Sequence, residues 1–306
     1  MAARASTTPI RATPSHVTRP SASRPGKGSH ATEEPALTLS IVVPVYNELP
    51  TLPWILRSVI LELPTVKKQI IIVDDCSTDG SREWLQEQFP SGECQVVAIG
   101  RGPEGQPTFV TARCDQPEPR SRESTKLARP VGETSVTVHL HERNIGKGGT
   151  LRTGFARVRG DVVVIQDADL EYDPADLEPM LRLITSKVAD VVYGSRFYGN
   201  PHRSLYYHHY LGNRLICLLF NLLYNQTLSD IEVCYKMFRR EVLDSISLIC
   251  CDFGFEVEFS ASVVKPRRWR IYEIGISYYG RSYEEGKKIT WRDGVRALWY
   301  IVKFRF

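Results

Sequence analysis

The acidic segment Asp167-Ala168-Asp169, with Glu171 two residues further on, carries the clearest chemistry in the sequence. It follows an uninterrupted apolar run at residues 162–165, with Gln166 between the two. Two carboxylates spaced i and i+2 at the end of a buried strand can turn toward one point. Hard divalent cations such as Mg²⁺ and Mn²⁺ prefer oxygen ligands and are usually shared between one or two carboxylates and substrate phosphates. The segment therefore predicts a diphosphate site with Asp167, Asp169 and Glu171 as metal ligands; the alternative is an acidic surface loop.

Two more polar clusters follow apolar runs, at residues 44–48 and 74–80. In an open parallel sheet, ligands bind at the carboxyl ends of the strands, where both clusters fall. Neither cluster has the glycine-rich fingerprint of a dinucleotide site or the Lys-Ser/Thr of a phosphate loop. A carboxylate there can bind ribose hydroxyls or a base edge, and we expect Asp74 to face the ligand. Asp79 suits the start of the next helix, since Asp is a preferred capping residue.

Cationic side chains that could stabilise a departing diphosphate occur further along the chain. Arg196 follows the apolar run at residues 188–193, and Arg281 precedes Lys287 in a glycine-containing segment. Positive groups placed around a leaving diphosphate stabilise the charge that develops on it. Each of these residues alone would be an ordinary surface charge. Their combination with the acidic segment favours a transferase site.

The elements that must position these residues follow from the hydrophobic pattern. Apolar runs rich in Val and Ile occur at residues 39–45, 70–73, 136–140, 162–165 and 188–193. Continuous apolar runs indicate strands that are buried on both faces. Helical periodicity is found between them, at residues 51–62, 80–88, 148–158 and 175–186. Strands that alternate with helices predict an α/β fold with a mostly parallel, Rossmann-like sheet flanked by helices.

Two segments interrupt this rhythm. Residues 1–36 are rich in Ser, Thr, Ala, Arg and Pro and predict a disordered basic tail; the prolines disfavour the amphipathic helix of a transit peptide. Residues 100–135 hold five prolines and few large apolar side chains, which predicts a disordered insertion. The seven cysteines show no C-x-x-C pair, so a zinc site is not expected and reduced thiols are.

The chain has a net charge of +4, but both of its ends are basic. Such ends favour anionic partners such as lipid headgroups or phosphates, or are simply solvated charge, and no pattern indicates nucleic acid.

No apolar run reaches the roughly 20 residues that a membrane-spanning helix needs. Residues 205–225 are apolar around more than one face, which fits either a membrane surface or a buried helix. Residues 291–306 predict an amphipathic C-terminal helix with aromatic and basic side chains, a pattern typical of surface binding.

Taken together, these residues resemble the family 2 glycosyltransferases, and within them the dolichol- or polyprenyl-phosphate hexose (mannose or glucose) synthases. The resemblance covers about residues 38–290. The matching pieces are Pro44-Val-Tyr-Asn-Glu48, Val73-Asp-Asp75 with Ser77 and Asp79-Gly80, Asn144-x-Gly146-Lys-Gly148, Asp167-Ala-Asp169-Leu170, Gly194-Ser-Arg196, Phe238-Arg-Arg-Glu-Val242, and Arg281 with Lys287. Two departures are Glu171, where these synthases commonly have Gln, and Glu232-Val-Cys-Tyr235 in place of Thr-Ser-Gly-Phe.

The resemblance implies a GT-A domain over residues 37–290, followed by C-terminal helices on the acceptor and membrane side. It implies that the nucleoside is held by Pro44, Tyr46, Glu48, Ile72 and Asp74. It further implies that Asp167, Ala168 and Asp169 bind the diphosphate and its Mg²⁺ or Mn²⁺, and that Arg196, Arg281 and Lys287 bind the phosphates of donor and acceptor.

The expected activity is inverting transfer of a hexose from a nucleotide sugar, of GDP-mannose or UDP-glucose type, to a polyprenyl or dolichyl phosphate. Asp169, Arg196 and Asp230 are the expected catalytic residues. A lipid phosphate needs no strong general base, whereas a hydroxyl acceptor would need Asp230 or Glu232 to take its proton. The other readings are a sugar nucleotidyltransferase and a non-catalytic nucleotide-sugar-binding protein. We expect a peripheral protein on the cytoplasmic face of a membrane, with a membrane-anchoring subunit as a further possible partner.

Overall fold

The structure, a computed structural model, describes residues 37–90, 92–113, 129–130, 132–204, 206–282, 284–285 and 291–306. The predicted tail at residues 1–36 lies outside the described residues. The described strands are β1 (Thr38–Val45), β2 (Lys67–Asp74), β3 (Glu93–Arg101), β4 (Pro107–Arg113), β5 (Arg129–Pro130), β6 (Thr134–Leu140), β7 (Val162–Ile165), β8 (Val191–Ser195), β9 (Lys236–Arg239) and β10 (Ile271–Gly275). The described helices are α1 (Leu52–Leu61), α2 (Ser81–Gln88), α3 (Gly146–Phe155), α4 (Leu177–Thr185), α5 (Tyr207–Tyr224), α6 (Arg240–Asp244), α7 (Phe255–Val264) and α8 (Trp291–Arg305).

All of these strands join one sheet, in the order β10-β8-β9-β7-β1-β2-β6-β3-β4, with β5 paired to β3. The central strands β7, β1, β2 and β6 are parallel, as the apolar runs predict. On one side, β9 lies antiparallel between β7 and β8, and on the other, β3 is antiparallel to β6. The carboxyl ends of β1, β2 and β7 therefore meet at one edge of the sheet.

The central strands are buried because both of their faces are covered. The side chains of Ile41, Val42 and Val43 at successive positions of β1 are all 0% exposed. Helix α3 packs closely on this strand, and a Cβ at Gly154 of α3 would lie 2.4 Å from Val42 Cγ1. The four helices that periodicity predicts are present, with ends within three residues of the expected ones. The local hydrophobic pattern is therefore sufficient to predict the central strands and the helices that position the site.

The prediction of a disordered insertion at residues 100–135 is wrong where the structure describes it. Strands β3 and β4 form an antiparallel pair, and Gly102 N donates to the Gln106 carbonyl at 2.8 Å in the turn between them. Phe109 of β4 is buried, and its ring lies 5.6 Å from that of Phe89 and 6.1 Å from that of Trp84. The rest of that segment, residues 114–128, lies outside the described residues.

Helices α5 and α8 pack against each other, and Tyr224 Oη donates to the Ile301 carbonyl at 3.0 Å. One face of α5 is buried through Ile216, Cys217 and Phe220. The opposite face is exposed, with Leu218 at 65% and Leu222 at 75%. None of the described helices combines the length and the apolar character needed to cross a bilayer.

Candidate active site

A large cleft of about 1590 Å³ opens at the edge where the central strands end. This volume exceeds that of a pocket for one drug-sized ligand, about 300–1,000 Å³, and is enough for a donor and part of an acceptor. Most of the site residues that the sequence predicts line it. These residues are Pro44, Tyr46, Glu48, Asp167, Ala168, Asp169, Glu171, Arg196 and Arg281. Lys287 lies outside the described residues.

The predicted acidic pair sits on the cleft wall directly after β7. Lys147 Nζ lies 3.0 Å from Asp167 Oδ1 and 3.1 Å from Asp167 Oδ2. Asp169 Oδ2 accepts a hydrogen bond from Arg281 Nη2 at 2.8 Å, and Asp169 Oδ1 accepts one from the Glu171 amide at 3.1 Å. Burial, together with the charges of Asp167 and Glu171, raises the pKa of Asp169 to about 8, although Arg281 opposes the shift. Negative charge is crowded here, and a bound cation would relieve it.

The third predicted metal ligand, Glu171, does not join this pair. Its Oε1 accepts from the Arg281 amide at 2.8 Å, and its Oε2 accepts from Tyr278 Oη at 3.2 Å. Among the described residues, no group of three His, Cys, Asp or Glu side chains is arranged to hold a metal ion. In this structure Glu171 holds the segment that carries Arg281, and its role as a third metal ligand stays a prediction. Two carboxylates are a sufficient donor set for a metal that completes its shell with water and diphosphate oxygens.

Arg281 closes one side of the cleft by binding residues that are far apart in the chain. Its Nη1 donates to Glu48 Oε2 at 3.0 Å, and its Nη2 bridges Glu48 Oε1, at 3.2 Å, and Asp169. Pro44 and Tyr46 lie beside Glu48 at the end of β1, and Tyr46 is 40% exposed. Ala168 contributes its carbonyl, which accepts from Thr51 Oγ1 at 3.0 Å. The segment after β1 and the acidic segment are thus joined into one wall.

The expectation that Asp74 faces the ligand is not met. Asp74 and Ile72 are both 0% exposed and do not line the cleft, because they lie in the buried part of β2. The Asp74 carboxylate accepts from the Ser77 amide at 3.3 Å and lies 3.5 Å from Arg82 Nη1. The next residue, Asp75, is the one that reaches the cleft. Asp79 accepts from the Ser81 amide at 3.0 Å, where α2 begins.

Asp75 organises the loop that leads into α3. Its carboxylate accepts from the Ile145 amide at 2.9 Å and the Gly146 amide at 2.8 Å, and it contacts His141 Nδ1 at 2.8 Å. Gly146 has a φ of +82°, and a Cβ there would lie 2.4 Å from the Cys251 carbonyl oxygen, so only glycine fits. This turn directs the next side chain, Lys147, into the cleft.

Asp230, a predicted catalytic residue, is not available as a general base. It is 0% exposed, and its two oxygens accept from Arg196 Nε at 2.6 Å and Arg196 Nη2 at 2.7 Å. Asn213 donates a further hydrogen bond at 3.1 Å. Burial alone would raise the pKa of Asp230, but the Arg196 guanidinium and these hydrogen bonds lower it below the usual 3.8. Asp230 is corrected to a positioning residue that holds Arg196 at the cleft wall.

Glu232, the other candidate base that the sequence offers, lines the cleft. Burial raises its pKa to about 7 from the usual 4.5, against the opposing effect of Arg196. Between pH 4.5 and 7 the unfolded chain therefore releases a proton that the folded chain keeps, so stability falls as the pH rises. We expect Glu232→Gln to increase the free energy of unfolding at pH 8 by on the order of 2–3 kcal/mol, with little gain at pH 4.

Urea unfolding of both proteins at pH 4, 6 and 8 measures this effect. Glu241→Gln is a matched control, since hydrogen bonds from Arg239 lower the pKa of Glu241 and its substitution should give no gain at pH 8. An equal gain for Glu232→Gln at pH 4 and pH 8 would mean that better packing, and not a buried charge, explains the stabilisation.

The sequence pattern predicts no role for Lys147 or Glu256, which both line the cleft. Lys147 stands inside the matched motif Asn144-x-Gly146-Lys-Gly148, so its position was a usable signal. Glu256 lies in an apolar stretch of α7 with no local signal of its own.

A sheet whose parallel centre ends in an acidic pair below a cleft with cationic side chains defines an α/β glycosyltransferase fold of the GT-A class. The family model described as glycosyl transferase family 2 matches residues 40–113 and 118–247. This chain belongs to that family.

Known relatives are consistent with this assignment. The chain is 26% identical, over 81% of its length, to an undecaprenyl-phosphate 4-deoxy-4-formamido-L-arabinose transferase of Yersinia enterocolitica, and it covers 62% of that protein. It is 29% identical, over 58% of its length, to a low-salt glycan biosynthesis hexosyltransferase of Haloferax volcanii, of which it covers 43%. The chain thus spans less than two thirds of the length of these relatives.

Among solved structures, glucosyl-3-phosphoglycerate synthase from Mycobacterium tuberculosis, crystallised with Mn²⁺, UDP and phosphoglyceric acid, has a similar fold. The TM-score is 0.56 at 15% identity, over 88% of this chain and 78% of that one. At this level of identity, the likeness supports the GT-A fold alone.

Proposed function

We propose that the protein is a metal-dependent inverting hexosyltransferase that uses a nucleotide sugar and a polyprenyl or dolichyl phosphate. The observation that carries the proposal is the pairing of Asp167 and Asp169 at the end of β7, in a cleft that also holds Arg196 and Arg281. The match to family 2 and the names of its relatives support the class of reaction and of acceptor.

The donor end of the proposed site lies at the ends of β1 and β7. Pro44, Tyr46, Glu48 and Asp75 line this end of the cleft and would contact the nucleoside, and Ala168 lies between the two acidic residues that would bind the diphosphate. Asp167 and Asp169 would hold Mg²⁺ or Mn²⁺, which would neutralise part of the charge on the departing nucleoside diphosphate. Arg281, which pairs with Asp169 and Glu48 in this structure, would bind the same phosphates in place of these partners.

The acceptor end lies toward Arg196. A phosphate oxygen is anionic near neutral pH, so it can attack the anomeric carbon without a general base, and the cleft has to position it and stabilise the leaving group. The bond from that carbon to the nucleoside diphosphate breaks, and its electron pair leaves with the diphosphate. Arg196 offers a guanidinium fixed by Asp230 to bind the acceptor phosphate.

A panel of nucleotide sugars tests the proposal directly. Each donor is supplied with and without polyprenyl phosphate, in Mg²⁺, in Mn²⁺ and in EDTA, and release of nucleoside diphosphate is measured. We expect release that requires both the acceptor and a metal. Donor binding without release under any condition would instead support a non-catalytic nucleotide-sugar-binding protein.

Glu232 keeps a second acceptor class open. A cleft carboxylate with a pKa of about 7 is suited to take a proton from a sugar or lipid hydroxyl. If the acceptor is a hydroxyl, Glu232→Gln should lower kcat by on the order of 10²-fold or more and remove the acidic limb of its pH profile. With a lipid phosphate acceptor, the same substitution should leave kcat nearly unchanged.

We further propose that the exposed face of α5 and α8 contacts a membrane, as a peripheral protein on the cytoplasmic face would; the same face could serve a membrane-anchoring subunit. Exposed apolar residues line both helices: Tyr207, Leu211, Leu215, Leu218, Leu222, Val295, Trp299 and Val302. Exposed cations accompany them, among them Arg214, Arg296 and Lys303. Tyr207, Leu215 and Val295 also line the cleft, so a lipid tail could leave the cleft along this face.

Trp299 is 58% exposed on this face, and Trp54 of α1 is 43% exposed without lining the cleft. We expect Trp299→Gln to weaken binding to anionic vesicles about tenfold, because an interfacial Trp buries apolar surface worth about 1.5–3 kcal/mol. Co-sedimentation with phosphatidylserine vesicles measures the effect, and Trp54→Gln should bind as the unmodified protein does. Equal binding by both variants would argue against this face.

A further inference from the structure

We propose that Lys147, backed by Glu256 and Lys236, is a positioning residue that sets the orientation and the charge of Asp167 for the metal-diphosphate. We call the four side chains Asp167, Lys147, Glu256 and Lys236 the charge ladder. The inference rests on the proposed function, because Asp167 is one of the two metal ligands proposed above.

The ladder runs from the cleft into the protein interior as alternating charges. Lys147 Nζ is 3.0 Å from Asp167 Oδ1 and, on its other side, 3.4 Å from Glu256 Oε1. Glu256 Oε2 forms an ion pair with Lys236 Nζ, which also donates to the Val233 carbonyl. Glu256 is 4% exposed and Lys236 is 0% exposed, so the inner end is held by the core.

Helix α7 fixes the inner anchor. Glu256 lies in the first turn of α7, where a carboxylate is favoured by the helix dipole. Its Oε1 accepts no hydrogen bond among the described residues, and the Lys147 ammonium lies 3.4 Å from this oxygen, while Lys236 pairs with Oε2. The Lys147 ammonium therefore lies between two carboxylates, those of Asp167 and Glu256.

The two metal ligands are therefore held in different ways. Asp169 is bound by Arg281, which also pairs with Glu48 and Glu171 at the cleft wall. Asp167 is bound through Lys147 to the buried end of α7. Buried ion pairs give little net stability after the cost of their desolvation, so stability alone does not account for four charges in this place. A role in orienting Asp167 at the cleft does account for these four charged side chains.

This arrangement predicts opposite changes in metal affinity for two substitutions. Glu256→Gln leaves the full Lys147 charge on Asp167, so Mn²⁺ should bind about tenfold more weakly. Lys147→Met removes the competing charge, so Mn²⁺ should bind about tenfold more tightly, while Glu256 stays paired with Lys236. In both variants kcat should fall: in Lys147→Met because Asp167 is no longer held in place, and in Glu256→Gln because Lys147 is no longer held by α7 and competes with the metal for Asp167. Lys147→Arg should recover part of the rate that Lys147→Met loses.

Mn²⁺ affinity is measured by electron paramagnetic resonance in the absence of donor and acceptor, and kcat is measured separately. Urea unfolding shows whether each variant is folded. If Glu256→Gln fails to fold, Lys147→Met still tests whether Mn²⁺ affinity increases. In the double variant Glu256→Gln should add little to the effect of Lys147→Met, because Glu256 acts on Asp167 through Lys147, whereas two independent effects would simply add. Weaker Mn²⁺ binding in both single variants, or no change in either, would overturn the inference. A protein that shows the opposite shifts but transfers no sugar would instead refute the proposed function and leave the ladder standing.

Discussion

Asp169→Asn is expected to lower kcat/KM for sugar transfer on the order of 10³-fold, equivalent to about 4 kcal/mol of transition-state stabilisation. Asn keeps the size of the side chain but removes one of the two negative charges that we propose hold the metal. Arg281 keeps Glu48 and Glu171 as partners, so the cleft wall should persist. Initial rates of nucleoside diphosphate release, titrated with Mg²⁺ and with Mn²⁺, measure the loss.

The control for this substitution has the same change of charge outside the cleft. Glu178 on α4 is exposed and pairs only at the surface, with Arg182 at 2.9 Å. We expect Glu178→Gln to keep the full rate, because an exposed i,i+4 ion pair contributes about 0.3–0.5 kcal/mol to stability and nothing to the cleft. If Asp169→Asn keeps full metal-stimulated transfer as well, the assignment of the acidic pair fails.

The central layers of this fold could be predicted from the sequence because the signal is local. Residues 39–45 and 162–165 are apolar at successive positions, and β1 and β7 are indeed buried on both faces. The acidic segment follows β7 directly, so its place at the cleft also followed from the sequence.

Strand β4 is not predicted from the sequence, because the composition of its segment indicates a loop while its short apolar pattern is too weak to indicate a strand. The segment around it is rich in proline and charge, but its half-buried strand needs few apolar side chains, and Phe109 alone reaches the aromatic cluster with Trp84 and Phe89. An edge strand that is covered on one face carries little of the continuous apolar pattern that marked β1.

Asp74 and Asp75 could not be told apart for a different reason. Side chains alternate between faces along a strand, so which of the two aspartates faces the cleft depends on where the chain turns. That turn follows at Cys76, whose φ of +63° no local pattern announces.

Side-chain pairing across the fold set the other limit. Arg196 and Asp230 are 34 positions apart, and Arg281 and Glu48 are 233 apart. A carboxylate at a strand end can be a base, a metal ligand or an anchor, and only its partner decides. The sequence predicts Asp230 as a catalytic residue, and as a base only for a hydroxyl acceptor, because its partner Arg196 comes from a distant part of the sequence. The same holds for Glu171, a predicted metal ligand that binds Tyr278 and Arg281.

Asp230→Asn is expected to raise the acceptor KM on the order of 10²-fold with a smaller change in kcat, since the amide cannot hold the Arg196 guanidinium through two charged hydrogen bonds. It should also lower the free energy of unfolding by about 3 kcal/mol at pH 7, as breaking a buried pair does. The pKa of Asp230 is lowered below 3.8, so the pair contributes stability at neutral pH and loses it only as the pH falls through that lowered value.

Asp190 provides the matched control, because it has the same geometry at the opposite end of β8. Its carboxylate binds Arg270 through Nε at 2.9 Å and Nη2 at 2.8 Å and is 5% exposed, but it does not line the cleft. Asp190→Asn should therefore destabilise the fold and leave the acceptor KM unchanged. A general base would give another pattern for Asp230→Asn: kcat would collapse, the acidic limb of the pH profile would vanish, and the acceptor KM would stay the same. Measuring KM and kcat separately in these two variants therefore shows whether Asp230 positions Arg196 or accepts a proton.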